Sequence, residues 1–385
     1  MATANPTEHF LRRATNVASY YGFAPIERVL ADRTRRSVEM GKVGFDRRSL
    51  DHAANEFLPV LHSCVEHDVG NAEAPALFYH SSASAPRAKR TVFGLGVVGT
   101  SRSIAEALII RTAFTILEDA GAKNVSLRVN SIGDRDSSAR FSREVQNYLR
   151  KNIGDLPSPC REAMKKDVFA ALEHLHKKEH SLRERAPRGM DFLSEGNRRH
   201  LMEILSYLET ANIPYEIDHG LVGHRECYSQ TLFEIHGVFG GKESALIARG
   251  GRFDEASRRL YKMNLPGVGV LFRLEGDSAP AAQPSAARRA KIFFIQLGFD
   301  AKLKSLAVIE TLRRARIPIH QSVCRDKLGS QLALASELGI PYAIIMGQKE
   351  ALDGTVIVRN MLTRAQNTVP VATLPIYLAR TVRIA

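Results

Sequence analysis

Apolar residues recur at helical spacing in several long stretches of the chain and alternate at strand spacing in others. Over residues 9–21, Phe10, Ala14, Val17 and Tyr21 share one face and Gly22 follows, which predicts an amphipathic helix with a glycine stop. Residues 104–120 predict a stronger helix, with Ala105, Leu108, Ile109, Thr112 and Ile116 on one side and Gly121 as its C-cap. Residues 125–129 alternate as a strand and turn through Asn130-Ser131-Ile132-Gly133. Helical spacing returns over 135–151, 163–180 and 194–210, and strands follow at 215–217, 231–234, 245–248 and 267–272. Helices clustered between strand-rich stretches read as an insertion, about 135–212, into an α+β core with an antiparallel sheet. No internal repeat shows.

The clearest boundary is residues 277–290, rich in Ala, Pro and Ser, which reads as a linker between a unit at 1–276 and another at 291–385. In the second unit, strands at 292–297, 317–321, 342–346 and 355–359 alternate with helices at 301–315 and 327–338, the rhythm of an α/β layer.

Charge sharpens this division. The 385 residues carry 54 Lys and Arg against 41 Asp and Glu, a net +13. The last 95 hold 13 of the basic and 6 of the acidic residues, an excess of +7 in a quarter of the chain. A basic unit of that kind points to an acidic partner, with nucleic acid first and a membrane surface second. An apolar share of 44% excludes a disordered or fibrous chain. No apolar run approaches the roughly 18 residues that span a bilayer, and the opening lacks a signal-peptide core. The expectation is a soluble cytoplasmic protein with no membrane partner. Cys64, Cys160, Cys227 and Cys324 stand too far apart for CxxC pairs, which argues against a disulfide scaffold or structural zinc site.

Four clusters carry chemistry-bearing residue types. Gly94-x-Gly96-x-x-Gly99 fits the dinucleotide fingerprint before a helix, but the strand ahead, Thr91–Phe93, is short and lies behind a basic run, and the next ends at Asn130, where a ribose needs an acid. His176 and His180 sit at i, i+4, a zinc-binding spacing. The lysines flanking them and the absent general base favour a solvated helix face, so no metal is expected. Asp218-His219 and His224-Arg225-Glu226-Cys227 are dense in reactive types, yet His224 and Cys227 three apart on a strand point to opposite faces, which favours pocket lining over a nucleophile. In Arg249-Gly250-Gly251-Arg252-Phe253-Asp254, two glycines at a strand end permit close approach of a ligand, or form a turn or bulge.

Taken in order, these stretches resemble the histidyl-tRNA synthetase family of class II aminoacyl-tRNA synthetases. Residues 130–134, NSIGD, are similar to the turn that opens that family's insertion, and LVGHRECYSQTLFE (221–234) to its histidine-specific LVRGLDYYTRTVFE. Residues 250–254, GGRFD, resemble the GGRYD strand, and PGVGVLFRLE (266–275) resembles motif 3. Residues 291–385 resemble the anticodon-binding domain throughout, especially KLGSQLALASELGIPYAIIMG and DGTVIVRNM. The resemblance implies a class II synthetase-like antiparallel sheet with helical insertion, plus a C-terminal α/β anticodon-binding-type domain. It further implies a homodimer, and tRNA or another structured RNA as partner.

The departures fall on the chemistry. Where motif 2 should supply an Arg, the chain has His80 within YHSSASAP (79–86). The motif 3 Arg falls at Gly276 and the histidine-specific Arg at Gly223, with Arg225 two residues away. The acid that should receive the substrate amino group falls at Val98, and the motif 1 proline at Val29. Those arginines hold ATP phosphates and neutralise transition-state charge, and each typically accounts for several kcal/mol. The expectation is therefore a histidyl-tRNA-synthetase-like paralogue with histidine activation lost. A remnant substrate pocket would be formed by Arg225, Glu226, Tyr228, Gly250, Gly251 and Arg252, and RNA would meet Gln321, Arg325, Lys327 and Gln331. The alternative is a working histidine–tRNA ligase using ATP and Mg2+, with Arg225, Arg252 or Arg273 as replacements. A third class is a protein-binding subunit like the synthetase-like regulator of ATP phosphoribosyltransferase. The family of that regulator lacks an anticodon domain, so residues 291–385 argue against it.

Overall fold

A computed structural model describes residues 6–31, 33, 35, 50–84, 90–239, 242–275 and 290–382. The expected linker, apart from Ala290, and the Gly276 position lie outside them. The first unit opens with helix α1 (Pro6–Tyr20), the two-residue strand β1 (Ala24–Pro25) and helix α2 (Ile26–Ala31). Helix α3 (His52–Glu66) precedes strands β2 (Ala76–Ser84) and β3 (Arg90–Val98), then α4 (Ile104–Ala120) and β4 (Lys123–Gly133). Helices α5 (Arg135–Lys151), α6 (Ser158–Lys166), α7 (Val168–Lys177) and α8 (Glu195–Thr210) form the insertion. Strands β5 (Tyr215–Ile217), β6 (Ser229–Phe239) and β7 (Lys242–Arg252), helix α9 (Asp254–Tyr261) and strand β8 (Gly267–Glu275) complete the unit. The single helix expected over 163–180 is two. Asp167 ends α6 and caps α7 by accepting from Phe169 N.

Eight strands form one sheet in the order β1-β2-β3-β8-β7-β6-β4-β5, antiparallel from β2 through to β4 and closed by parallel pairs at both edges. Its two faces are covered differently. The rear face carries α1, α4 and α8, with Phe93, Leu95, Phe233, Val268, Val270 and Phe272 beneath them. The front face carries α3 and the insertion helices α5, α6 and α7, with Phe57, Phe78, Leu232, Leu271 and Phe141 in its core. The NSIGD turn links strand to insertion. Asn130 Nδ2 donates to Leu221 O at 3.0 Å, Gly133 adopts φ +69, and Asp134 caps α5 through Ser137 N at 2.9 Å.

The second unit contains β9 (Ile292–Gln296), α10 (Phe299–Arg314), β10 (Ile319–Gln321), α11 (Leu328–Glu337), β11 (Tyr342–Met346), α12 (Gln348–Asp353), β12 (Thr355–Asn360), β13 (Gln366–Pro370) and α13 (Leu374–Thr381). Its sheet runs β10-β9-β11-β12-β13, parallel across the first three strands and antiparallel beyond. This unit is docked on the rear of the first through one continuous apolar cluster containing Tyr21, Leu117, Ile309 and Leu312. A buried polar seam reinforces it. Tyr21 OH donates to Glu310 at 2.8 Å, Arg313 bridges Glu310 and Asp119, and Tyr20 OH donates to Ile317 O at 2.8 Å. Among the described residues, no helix is long and apolar enough to cross a membrane.

Candidate functional site

The front face of the sheet has a lane without side chains. Strand register pairs Gly96 with Gly269 and Gly269 with Gly251, so three glycines lie side by side across β3, β8 and β7. A bare backbone lane lets a flat group approach the sheet closely. Here aromatic rings of the chain take that space. A Cβ on Gly96 would lie 2.3 Å from the Phe78 ring, one on Gly269 2.3 Å from Phe57, and one on Gly251 2.9 Å from Tyr228. The rings run in a row, with centroids 6.4 Å apart for Phe78 and Phe57, 4.4 Å for Phe57 and Phe253, and 4.8 Å for Phe253 and Tyr228. All four are buried.

The positions expected to hold arginines are part of this packing. A Cβ on Gly223 would sit 2.3 Å from the Tyr228 ring, so Tyr228 fills the space an arginine stem would need. His80 lies across Gly94, whose Cβ would be 2.2 Å from the imidazole. Only 8% of His80 is exposed, and among the described residues neither ring nitrogen has a hydrogen-bond partner. Burial pushes its pKa down to about 4, so the ring is neutral at pH 7 and supplies no cation.

Beside the lane stands Arg249, a residue that sequence reasoning did not assign to the pocket. Its Nη1 donates to Glu234 at 2.7 Å and Glu173 at 3.0 Å, and its Nη2 to Val222 O at 2.8 Å. Asp51 lies 3.5 Å from Nε and accepts the Tyr228 hydroxyl at 2.9 Å. Burial opposes the charge on Arg249, but these carboxylates outweigh it and hold the guanidinium protonated. One arginine thus ties α3, the insertion and β6 together over the front face. The signal was in the sequence: alternation along Arg249-Gly250-Gly251-Arg252 puts 249 and 251 on one face and 250 and 252 on the other.

That alternation divides the expected pocket. Tyr228 and Gly251 meet on the lane. Gly250 faces the rear, where its Cβ would meet Phe233 at 2.5 Å. Arg252 also points to the rear and is fully buried, a correction to its expected place in the pocket. It donates to Glu106 at 2.6 and 2.8 Å and to the carbonyls of Thr100 at 2.9 Å and Arg102 at 3.3 Å. Burial raises the Glu106 pKa, but Arg252 and His200 overcome it and hold the carboxyl at about 2. Arg225 is exposed in the turn before β6, and Glu226 lies 3.5 Å from Arg259. Arg273 is exposed on β8, in phase with Gly269 and so on the front face.

The four residues expected to meet RNA separate in the same way. Gln321 donates to Tyr21 O at 2.6 Å and accepts from Val323 N at 2.7 Å, so its amide belongs to the seam between units. Gln331 is fully buried, donating to Gln296 O at 3.2 Å and accepting from Ser322 at 3.1 Å. Both depart from the expected base contacts, because their amides satisfy backbone and side-chain groups inside the fold. Arg325 is half-buried, and exposed Lys327 reaches Glu73 at 3.0 Å.

The remaining candidates find structural places. Gly94 and Gly96 lie within an antiparallel strand, unlike a dinucleotide turn. His176 packs on Gly220, while His180 caps a short helix by accepting from Leu182 N at 3.3 Å. Burial raises the Cys227 thiol well above its ordinary range, the reverse of an activated nucleophile.

The Anticodon binding domain family matches residues 291–381. The histidine–tRNA ligase of Lysinibacillus sphaericus is 26% identical over 347 residues, covering 86% of this chain and 82% of that protein. The histidine–tRNA ligase of Dehalococcoides mccartyi is 27% identical over 324 residues, covering 81% and 77%. The crystal structure of apo S. aureus histidyl-tRNA synthetase shares the fold at 20% identity and a TM-score of 0.50, covering 96% of this chain and 94% of that one. With an antiparallel-rich sheet, a helical insertion and a unit matching the anticodon-binding family in that order, the chain is similar over most of its length to the histidyl-tRNA synthetase family of class II synthetases.

Proposed function

We propose that this protein binds tRNA or another structured RNA and has lost ATP-dependent activation of histidine. The observation that carries the reading is the row Phe78–Phe57–Phe253–Tyr228 lying on the glycine lane, with no cation at His80 or Gly223. Adenylation needs room for a nucleotide and free positive charge on its phosphates; here the rings take the room over the lane, and Arg249 beside it is already held by Asp51, Glu173 and Glu234. Purified protein is expected to show no histidine-dependent exchange of labelled pyrophosphate into ATP. Turnover on the order of 0.1 per second, low for an enzyme, would overturn the reading. In that case Arg273, the front-facing arginine among the three considered replacements, is the residue whose change to Met should abolish exchange.

RNA binding is supported by the anticodon-binding family match and the +7 excess of residues 291–385. Because one apolar cluster spans both units, the full chain and not an excised unit is the sample to test. Replacing Arg325 and Lys327 by Glu should weaken tRNA binding and flatten its salt dependence by about 0.7–0.9 log units per lost phosphate contact. Unchanged binding would remove these residues from the interface. The assembly proposed is a two-fold dimer, for which light scattering should give twice the chain mass.

A further inference from the structure

Between the two units, on the side of the sheet away from the glycine lane, lies a cleft of about 550 Å3. That volume is within the range of small-ligand pockets. One wall comes from the first unit: the loop before α4 with Arg102 and Ser103, and α8 with Arg199 and His200. The other wall is Gly298, Phe299, Lys302 and Asp326.

Topology places this cleft where open α/β sheets take ligands. Strand β9 has β10 on one side and β11 on the other, all parallel, so the chain reverses its winding direction there. Ligands bind outside the carboxyl ends of strands at such a reversal. Gly298 and Phe299 follow directly from the carboxyl end of β9, and Asp326 sits in the loop after β10.

The lining offers two kinds of recognition. Phe299 is 39% exposed and braced edge-on by Tyr207 at 5.3 Å, which leaves a ring available for stacking. Lys302 is almost wholly buried, and its counter-ion Asp326 is shared with Arg102. Burial, with Arg102 nearby, lowers the Lys302 pKa to about 8. The chain itself rigidifies this wall, because Arg252 holds the carbonyls of Thr100 and Arg102.

We propose that this cleft binds a nucleotide, with the base on Phe299 and the phosphate on Lys302 and Arg102. Asp326 then acts as the internal anion that the phosphate displaces from those two cations. The nucleotide can be a free mononucleotide or one residue of a bound RNA. The site is separate from the front face and stands whether or not the chain activates histidine.

The test is calorimetric titration of the full chain with AMP, adenosine and inorganic phosphate, and anisotropy of a labelled single-stranded RNA with AMP as competitor. Each is repeated on Phe299→Ala and Lys302→Met after melting curves show both variants folded. Phe299 is exposed enough for its variant to fold. Saturable AMP binding, at least about tenfold tighter than adenosine or phosphate and weakened about tenfold by each variant, establishes a free-nucleotide site, since stacking and phosphate contacts each account for roughly a factor of that size. RNA binding weakened about tenfold by Phe299→Ala, without AMP binding, assigns the nucleotide to RNA. No binding of either probe at millimolar concentration, indifference to both variants, or phosphate binding as tightly as AMP overturns the proposal. Nucleotide binding on the front face would be indifferent to both variants and is thereby distinguished.

Discussion

Phe57 and Gly269 should be energetically coupled, and the coupling tests whether the aromatic row fills the glycine lane. Phe57 is fully buried and stacks on Phe253 at 4.4 Å. Truncating it to Ala removes a complete ring from a packed core and should cost about 3–5 kcal/mol. Adding a methyl at Gly269 is a different perturbation. The three atoms nearest to a Cβ at that position all belong to the Phe57 ring, at 2.3, 2.7 and 3.0 Å. The ring is hemmed by Phe78 and Phe253 and cannot retreat freely, so Gly269→Ala alone should cost roughly 1–3 kcal/mol through overpacking.

In the double variant the ring that clashed is gone. The alanine at 269 then enters space that Phe57→Ala vacated, and the second substitution should be neutral or slightly stabilising. Urea unfolding of the wild type, both single variants and the double variant completes the cycle. The double variant should be more stable than the sum of the single costs predicts, by about 2 kcal/mol. Additivity within about 0.5 kcal/mol would refute the reasoning. It would mean that Phe57 does not occupy the lane in solution and that the front face is open to ligand.

Two further outcomes follow from buried charge. His80 has a folded pKa depressed from 6.5 to about 4, so its contribution is intact above pH 6.5 and is lost as pH falls toward 4, when the unfolded chain binds a proton and the folded chain does not. That loss is about 3 kcal/mol, and His80→Leu should remove this leg of the stability–pH curve while leaving the lower leg, where Glu106 and Glu310 are lost between about 4.5 and 2; superimposable curves for variant and wild type would refute the assignment. At the seam, Glu310→Gln leaves Arg111 and Arg313 short of a carboxylate and should cost about 3 kcal/mol and split thermal unfolding into two steps, whereas a single unshifted transition would refute the view of the two units as one cooperative body.

Much of this fold was legible in the sequence where local signals set it. The helix expected over 104–120 ends at Gly121, which adopts φ +85, and the helix over 135–151 begins behind an Asp that caps it. The pattern assigned nothing to α3, which contains Pro59 and a mixed first turn, and this helix delivers the ring that fills the lane. What it missed was decided by tertiary contacts. Gln321 and Gln331 look like free amides in a basic segment, but the first meets a carbonyl 300 residues away and the second lies under β9. Arg249 was passed over beside two glycines because its three carboxylates come from separate elements.

The Arg249–Asp254 segment shows why persistence of a family motif does not by itself imply persistence of chemistry. Its glycines admit close packing: Gly251 admits Tyr228 on the front, and Gly250 admits Phe233 on the rear. Its arginines satisfy buried carboxylates on opposite faces, Arg249 at Asp51, Glu173 and Glu234 and Arg252 at Glu106. Removing either cation would strand a buried negative charge, a cost of about 3–5 kcal/mol. Asp254 accepts from Gly267 N at 2.9 Å, tying the strand end to β8. Each residue therefore has a structural requirement that holds with or without a bound adenylate. At His80 and Gly223, where the resemblance led one to expect arginines, packing takes the space instead: the His80 imidazole lies across Gly94 and the Tyr228 ring against Gly223.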